Sequence, residues 1–370
     1  MRTTLLKNCK FYQNDILLED QEILIDENAI LAIGKRVTAS EKAKVLNLNN
    51  QLVTPGFVDL QVNGGRQVFF NNDISVEALE QILQAHEERG TRYLLPTLIS
   101  SKGSNIIRAL EVVAEAMQQF PGILGLHLEG PFLNPDKHGG HNPANLRKPT
   151  DQELDQIISK GVGVLKIMTI APEMFSPRQL QKLLQQDFVV SAGHSTATYE
   201  QAQSFFRLGI KCVTHLYNAM SSFQHREPGL VGATLSAPVY ASIIADGVHT
   251  HFSAVKMAYR LKKEKLFLIS DASFIGLEQD VITFEETTIY KKNGQFYTAE
   301  GNLAGSSIAL HDALRHCVTS VGISLPEAIR GATEIPARLL GLENKIGQLA
   351  TGNSAKLNVL DDALNLVLRI

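Results

Sequence analysis

From residue 53 to about residue 340 the chain repeats one grammar: a short apolar run, then a longer stretch with helical spacing. The apolar runs end near residues 63, 98, 129, 170, 194, 215, 246 and 271, and so number eight. Strands alternating with helices over this length imply a parallel sheet covered by helices. Eight such units favour closure into a (β/α)8 TIM-like barrel over residues 53–343. The runner-up is an open doubly wound sheet, but no Gly-rich dinucleotide fingerprint follows the first strand.

The flanks read differently. Residues 1–52 carry short β-like runs at 3–6, 16–18, 22–25 and 29–33, with a polar linker at 47–50. The tail, 344–370, is also β-like, and it is expected to rejoin 1–52 as one small β-sandwich domain. Residues 283–299 read as a β-hairpin turning at Lys292-Asn293-Gly294, just after the eighth strand. The chain of 370 residues accommodates a barrel of about 250 residues and an accessory module.

Composition excludes several roles. A net charge of −3 gives no reason to expect nucleic acid or an anionic membrane as partner. Cys9, Cys212 and Cys317 are odd in number and far apart, which points to a reducing compartment rather than a disulfide framework. The N-terminus turns polar too early for a signal peptide, and no apolar run matches a membrane span. The expected location is cytoplasmic.

A barrel keeps its chemistry at the C-terminal ends of its strands. Gln61 and Asn63 stand there on the first strand, two apart and therefore on one face. The third strand ends on Glu129, the fifth leads to His194, the sixth to His215, the seventh to Asp246 and His249, and the eighth to Asp271. Two His and one Glu suit a catalytic zinc-type shell that leaves a position open for water. An Asp beside that water can serve as general base and then general acid.

Each residue also has a plainer reading. A single strand-end His is more often a hydrogen-bonded structural residue than a ligand. Glu129 alone could cap a strand, and Asp271 could cap a turn. One shared site explains all four better than four separate accidents. His127 and His251 read as supporting or packing residues, and His86, His311 and His316 as helix residues with structural roles. Lys166, inside the fourth strand, reads as a snorkelling or ion-paired lysine rather than a functional amine.

The motifs then match in series. Residues 55–64 (PGFVDLQVNG), 126–132 (LHLEGPF), 140–143 (GHNP), 171–173 (APE), 193–195 (GHS), 214–220 (THLYNAM), 226–229 (REPG), 245–249 (ADGVH), 270–272 (SDA) and 303–306 (LAGS) occur in order. Together they resemble the amidohydrolase superfamily, and within it the N-acetylglucosamine-6-phosphate deacetylase family. The resemblance implies one divalent metal ion, zinc with iron as the alternative, on Glu129, His194 and His215, and Asp271 as base and acid. It implies His141, Asn218, Ala219, His249 and Leu303 around an amino-sugar phosphate. It implies a homodimer in which Arg226 reaches the neighbouring site, a role for which a planar guanidinium suits phosphate. The implied reaction converts N-acetylglucosamine 6-phosphate to glucosamine 6-phosphate and acetate, in amino-sugar catabolism.

This chain departs from the wider superfamily in three places. Gln61-Val62-Asn63 replaces the His pair of two-metal members, so Gln61 and Asn63 read either as residues that support the ligands and the base or as a vestigial second-metal position. The Ser273-Phe274-Ile275 run is bulkier than the small, Pro-containing segments common there, and Tyr217 stands where Phe is common. A dihydroorotase-like ring opening and a non-catalytic sugar-phosphate binder are the competing readings. Arg226, His249 and the missing His pair weigh against the first. A binder would not need both the ligand set and Asp271.

Overall fold

The computed structural model describes residues 3–275, 281–284 and 287–370. Its centre is an eight-stranded parallel barrel. In chain order its strands are Phe57–Val62, Thr91–Ile99, Leu126–Glu129, Leu165–Ile170, Val189–Ala192, Cys212–Val213, Tyr240–Ile243 and Leu266–Leu268. Each is almost wholly buried, as expected for strands covered on both faces. The ring closes at the catalytic end: Asp271 N–H donates to the Gln61 carbonyl at 3.0 Å, and Val62 bridges Ala272 in parallel. Amphipathic helices wrap the ring and bury Leu79, Ile82, Leu110, Val113, Leu154, Leu180 and Val255 against it. Ser75 caps the first of these, Val76–Glu87, with its hydroxyl accepting from Ala78 N–H.

The strands from both termini form a second sheet of six, in the order Leu366–Arg369, Leu357–Leu360, Lys44–Pro55, Thr4–Gln13, Ile16–Ile25 and Ile30–Gly34. The tail therefore rejoins the N-terminal strands, around a core that includes Leu6, Phe11, Ile23, Val53, Leu357 and Val359. The expected linker at 47–50 is instead the interior of the strand Lys44–Pro55. Asn49 and Asn50 adopt left-handed φ values of 51° and 59° inside it, opposite a register shift in Thr4–Gln13. Asn tolerates that conformation, so a polar Asn run marks a bulge here and not an interruption. Likewise the runs 16–18 and 22–25 form the single strand Ile16–Ile25, kinked at Asp20 (φ 52°).

After the eighth strand the chain builds a three-stranded sheet, Val281–Phe284, Thr287–Lys292 and Gln295–Thr298. Its second turn falls at Asn293-Gly294, where both residues have positive φ, as the hairpin signal requires. Beyond it the helix Leu310–His316 runs on into a π-helical turn, Cys317–Val321. Among the described residues no helix is long and apolar enough to cross a membrane.

Candidate active site

Of the four residues expected at strand tips, only Glu129 lies within its strand. His194 and His215 follow their strands by two residues and Asp271 by three. All three adopt left-handed φ, at 48°, 35° and 50°. That conformation costs a non-glycine residue roughly 1–3 kcal/mol, and a fold keeps it where geometry demands it. Here it turns each side chain off the strand direction into the barrel mouth.

The result is a tight cluster. Glu129 Oε1 lies 3.2 Å from His194 Nε2 and 2.9 Å from His215 Nε2, and the two ring nitrogens are 3.1 Å apart. All three residues are 2–4% exposed. Three ligands about 2.0–2.1 Å from a tetrahedral zinc would stand roughly 3.3 Å from one another. Backbone contacts set the ring tautomer to match. His194 Nδ1–H donates to the Lys137 carbonyl at 2.7 Å, which leaves Nε2 with a lone pair facing the Glu129 carboxylate. His215 Nδ1 is buried without a hydrogen-bond partner among the described residues. Burial would raise the Glu129 pKa, but the close His194 and His215 rings and the nearby His215 charge hold it well below the usual carboxylate range. For His215, burial pulls down while the bond to Glu129 and its charge pull up, and the net shift is upward. Three converging donor atoms that share too few protons fit a divalent cation.

His141 is the opposite case. Its Nδ1 accepts from Ser100 N–H at 3.2 Å and lies 2.8 Å from Ser100 Oγ. The neutral ring therefore carries its proton on Nε2, 3.8 Å from Glu129 Oε2. Burial, and then the neighbouring His194, push its pKa down to about 3, so the ring stays neutral and offers one N–H to the cavity.

Asp271 completes the centre. Its Oδ1 accepts from Gln61 Nε2 at 3.1 Å and from Asn63 Nδ2 at 2.7 Å. The same Gln61 nitrogen donates to Glu129 Oε2 at 3.1 Å. Gln61 and Asn63 thus act in this structure as amide donors that orient two carboxylates. Burial, and then the Glu129 charge, push the Asp271 carboxyl up to about 6.

Residues 52–369 match the amidohydrolase family. The chain belongs to the amidohydrolase family. As a hydrolase of that family it is 36% identical to the N-acetylglucosamine-6-phosphate deacetylase of Haemophilus influenzae, over 96% of this chain and 94% of the relative. It is 35% identical to an N-acetylgalactosamine-6-phosphate deacetylase of a Shewanella strain, over 94% and 89% of the two chains. Its fold superposes on the crystal structure of N-acetylglucosamine-6-phosphate deacetylase from Pasteurella multocida with a TM-score of 0.95 at 31% identity, covering 100% of this chain and 98% of that one.

The amidohydrolase cavity, of about 370 Å³, is lined by Glu129, His141, His194, His215 and Asp271 together with Asn63, Asn218, Ala219, His249 and Leu303. His249 is aimed by Asp246, whose carboxylate accepts from His249 Nδ1 at 2.6 Å and from the Val248 and His249 N–H groups at 2.8 Å. Arg226 is the exception. It lies exposed on the loop before the helix Gly229–Ser236 and does not line the cavity of its own chain.

Sequence reasoning did not single out Lys137, His138, Phe69, Ile99 or Ile289, all of which line the cavity. Lys137 and His138 come from the loop between Glu129 and His141, which crosses the barrel mouth. Gly139 in that loop has φ 60°, and a Cβ there would sit 3.1 Å from His194 Cε1. The separation of Glu129 from His141 in the chain was the available signal that this loop had to span the site. Among the remaining histidines, His127 is buried between the Leu60 carbonyl and Thr169 Oγ1, at 2.9 and 2.8 Å. His86 Nε2 contacts the Gly64 carbonyl at 2.9 Å, and His251 caps the helix Phe252–Lys262. These placements fit structural roles. Lys166 is partly buried, and burial lowers its pKa.

Proposed function

We propose that this amidohydrolase removes the N-acetyl group of N-acetylglucosamine 6-phosphate, releasing acetate and glucosamine 6-phosphate. The observation that carries the reading is the triangle of Glu129, His194 and His215 donor atoms, 2.9–3.2 Å on each edge, beside a buried carboxyl. One divalent ion, zinc with iron as the alternative, would be held by these three residues and would supply Lewis-acid polarisation to water and amide.

The chain's own residues do the rest. Asp271 takes the proton of the attacking water through the carboxylate oxygen that Gln61 and Asn63 leave free, and then returns it to the departing nitrogen. His141 Nε2–H donates to the carbonyl oxygen as negative charge develops there. His249, Asn218, the backbone at Ala219 and Leu303 hold the sugar and its phosphate. Arg226 from a second copy of the chain completes the phosphate contact, so the working unit is a homodimer. Lys137 is a cation within the same chain on that side of the cavity. Residues 53–343 act as the catalytic barrel, and 1–52 with 344–370 as a separate small domain. A cytoplasmic location suits a sugar-phosphate substrate.

The galactosamine epimer is a second reading, favoured by the 35% identity to an N-acetylgalactosamine-6-phosphate deacetylase. Acetate release from both N-acetylhexosamine 6-phosphates, with metal analysis of the same sample, tests both readings. Release from neither in the metal-loaded protein would sink them.

A further inference from the structure

The cavity is chemically two-sided. In an eight-stranded ring each strand faces the fourth one along, so the first and second strands oppose the fifth and sixth. His194, Asn218 and Ala219 come from the fifth and sixth strands, and His249 follows the seventh. The backbone at Lys137 lies on the same side, its carbonyl tied to His194. Lys137 is the one Lys or Arg among the described residues lining the cavity, and its ammonium has no acidic partner among them.

The opposite wall carries an apolar patch beside the polar Asn63, Ser273 and Asn302. Phe69 follows the first strand, Ile99 ends the second, and Ile289 comes from the three-stranded sheet beyond the eighth. They belong to one buried cluster with Phe274, Phe296 and Ala304. Phe274, in the bulky run after Asp271, sits with its ring 5.6 Å from Phe69 and 5.4 Å from Phe296. Phe274 and Phe296 do not face the cavity; they clamp the groups that do. Ile99 pairs in register with Glu129, and the next residue, Ser100, fixes His141. The apolar wall therefore begins one residue from the groups that would grip a scissile carbonyl.

We infer that Phe69, Ile99 and Ile289 form the acyl recess of this site, and that this wall sets the acyl chain length the enzyme accepts. The inference rests on the amide-hydrolysis reading above. A sugar phosphate needs a cation, which among the described lining residues only the Lys137 side provides, and an acyl tail needs none. With the carbonyl held between His141 and Asp271, the phosphate end points toward Lys137 and the acyl end toward Ile99. One methylene in a hydrophobic recess changes discrimination by about 10–200-fold.

The experiment uses full-length, metal-loaded protein with N-acetyl-, N-propionyl- and N-butyryl-glucosamine 6-phosphate. The wild type should prefer acetyl. Ile99→Ala and Ile289→Ala should each raise the propionyl-to-acetyl ratio of kcat/KM by about 10-fold or more. Affinity for glucosamine 6-phosphate, which lacks the acyl group, should stay within about twofold. Ile99→Val gives a milder enlargement should an alanine variant fail to fold, and should shift the ratio in the same direction. A second arm measures equilibrium binding of the same three ligands to Asp271→Asn protein with and without Ile99→Ala. Failure of every ligand to be cleaved would remove the deacetylase reading, and the binding ratios would still decide the recess. Unchanged acyl ratios in both arms, or variants that weaken the amine product as much as the amides, would overturn it.

Discussion

His194 and His141 present the same nitrogen, Nε2, to one cavity in opposite protonation states: the Lys137 carbonyl makes His194 Nε2 a lone pair, and the Ser100 N–H makes His141 Nε2 a proton donor. Neither ring chooses its tautomer. Each is set by a backbone group on a different element, which is how a single pocket can present both a ring lone pair and a ring N–H.

His141→Gln should therefore retain metal while losing most turnover. Removing one donor to a developing oxyanion costs on the order of 10²–10³ in kcat. Metal content by elemental analysis, alongside acetate release, checks this; loss of metal in the variant would recast His141 as a ligand.

Glu129 bridges both histidines through one oxygen. Glu129→Ala should strip the ion, weakening metal affinity by more than the roughly 10–100-fold typical of an outer partner. Metal titration would show it, and normal metal content would mean the ligand set is wrong.

Asp271→Asn should keep its metal and lose on the order of 10²–10⁴ in turnover, the usual range for a general acid–base group. Wild-type-like turnover would remove Asp271 from the role of base.

The pH dependence has a definite sign. A base must be ionised, and the Asp271 carboxyl is pushed up to about 6 by burial and then by Glu129. Activity should fall as pH drops through that value. The Asn63 hydrogen bond favours the ionised form, so Asn63→Ala should move this acid limb to higher pH with metal still bound. A pH profile of kcat for both proteins decides it, and an unmoved limb would show that Asn63 does not tune the base.

Arg226 is exposed on one chain and absent from its cavity. Arg226→Ala should raise KM for the phosphorylated substrate and leave KM for the unphosphorylated sugar unchanged. Mixing Arg226→Ala with Asp271→Asn protein should produce heterodimers with one complete site and recover part of the activity. No recovery from dimers shown to exchange would confine the site to one chain.

Much of this was legible in the chain itself. Helical and strand periodicities depend on local spacing, so the eight-fold alternation, the hairpin at Asn293-Gly294 and the tail's return to the N-terminal strands followed from residue order. The residue types of the candidate site were legible too, because four such groups at equivalent strand ends are explained more simply by one shared site than by four separate structural roles. The polar run at 47–50 misled, since an Asn bulge and an Asn linker have the same composition.

Tertiary structure alone decided the rest. Left-handed backbone at His194, His215 and Asp271 aims three side chains inward, and no spacing rule marks it. Residue order left Gln61 and Asn63 as either supporting residues or the remnant of a metal site, and closure of the first strand onto the eighth makes them donors to Asp271. The apolar wall of Phe69, Ile99 and Ile289 joins residues 220 positions apart, and only a closed ring brings them to one side. Residue identity specifies what each group can do, and local spacing specifies its element. Which groups meet depends on distances between elements far apart in the chain, and those are set by how the whole barrel packs.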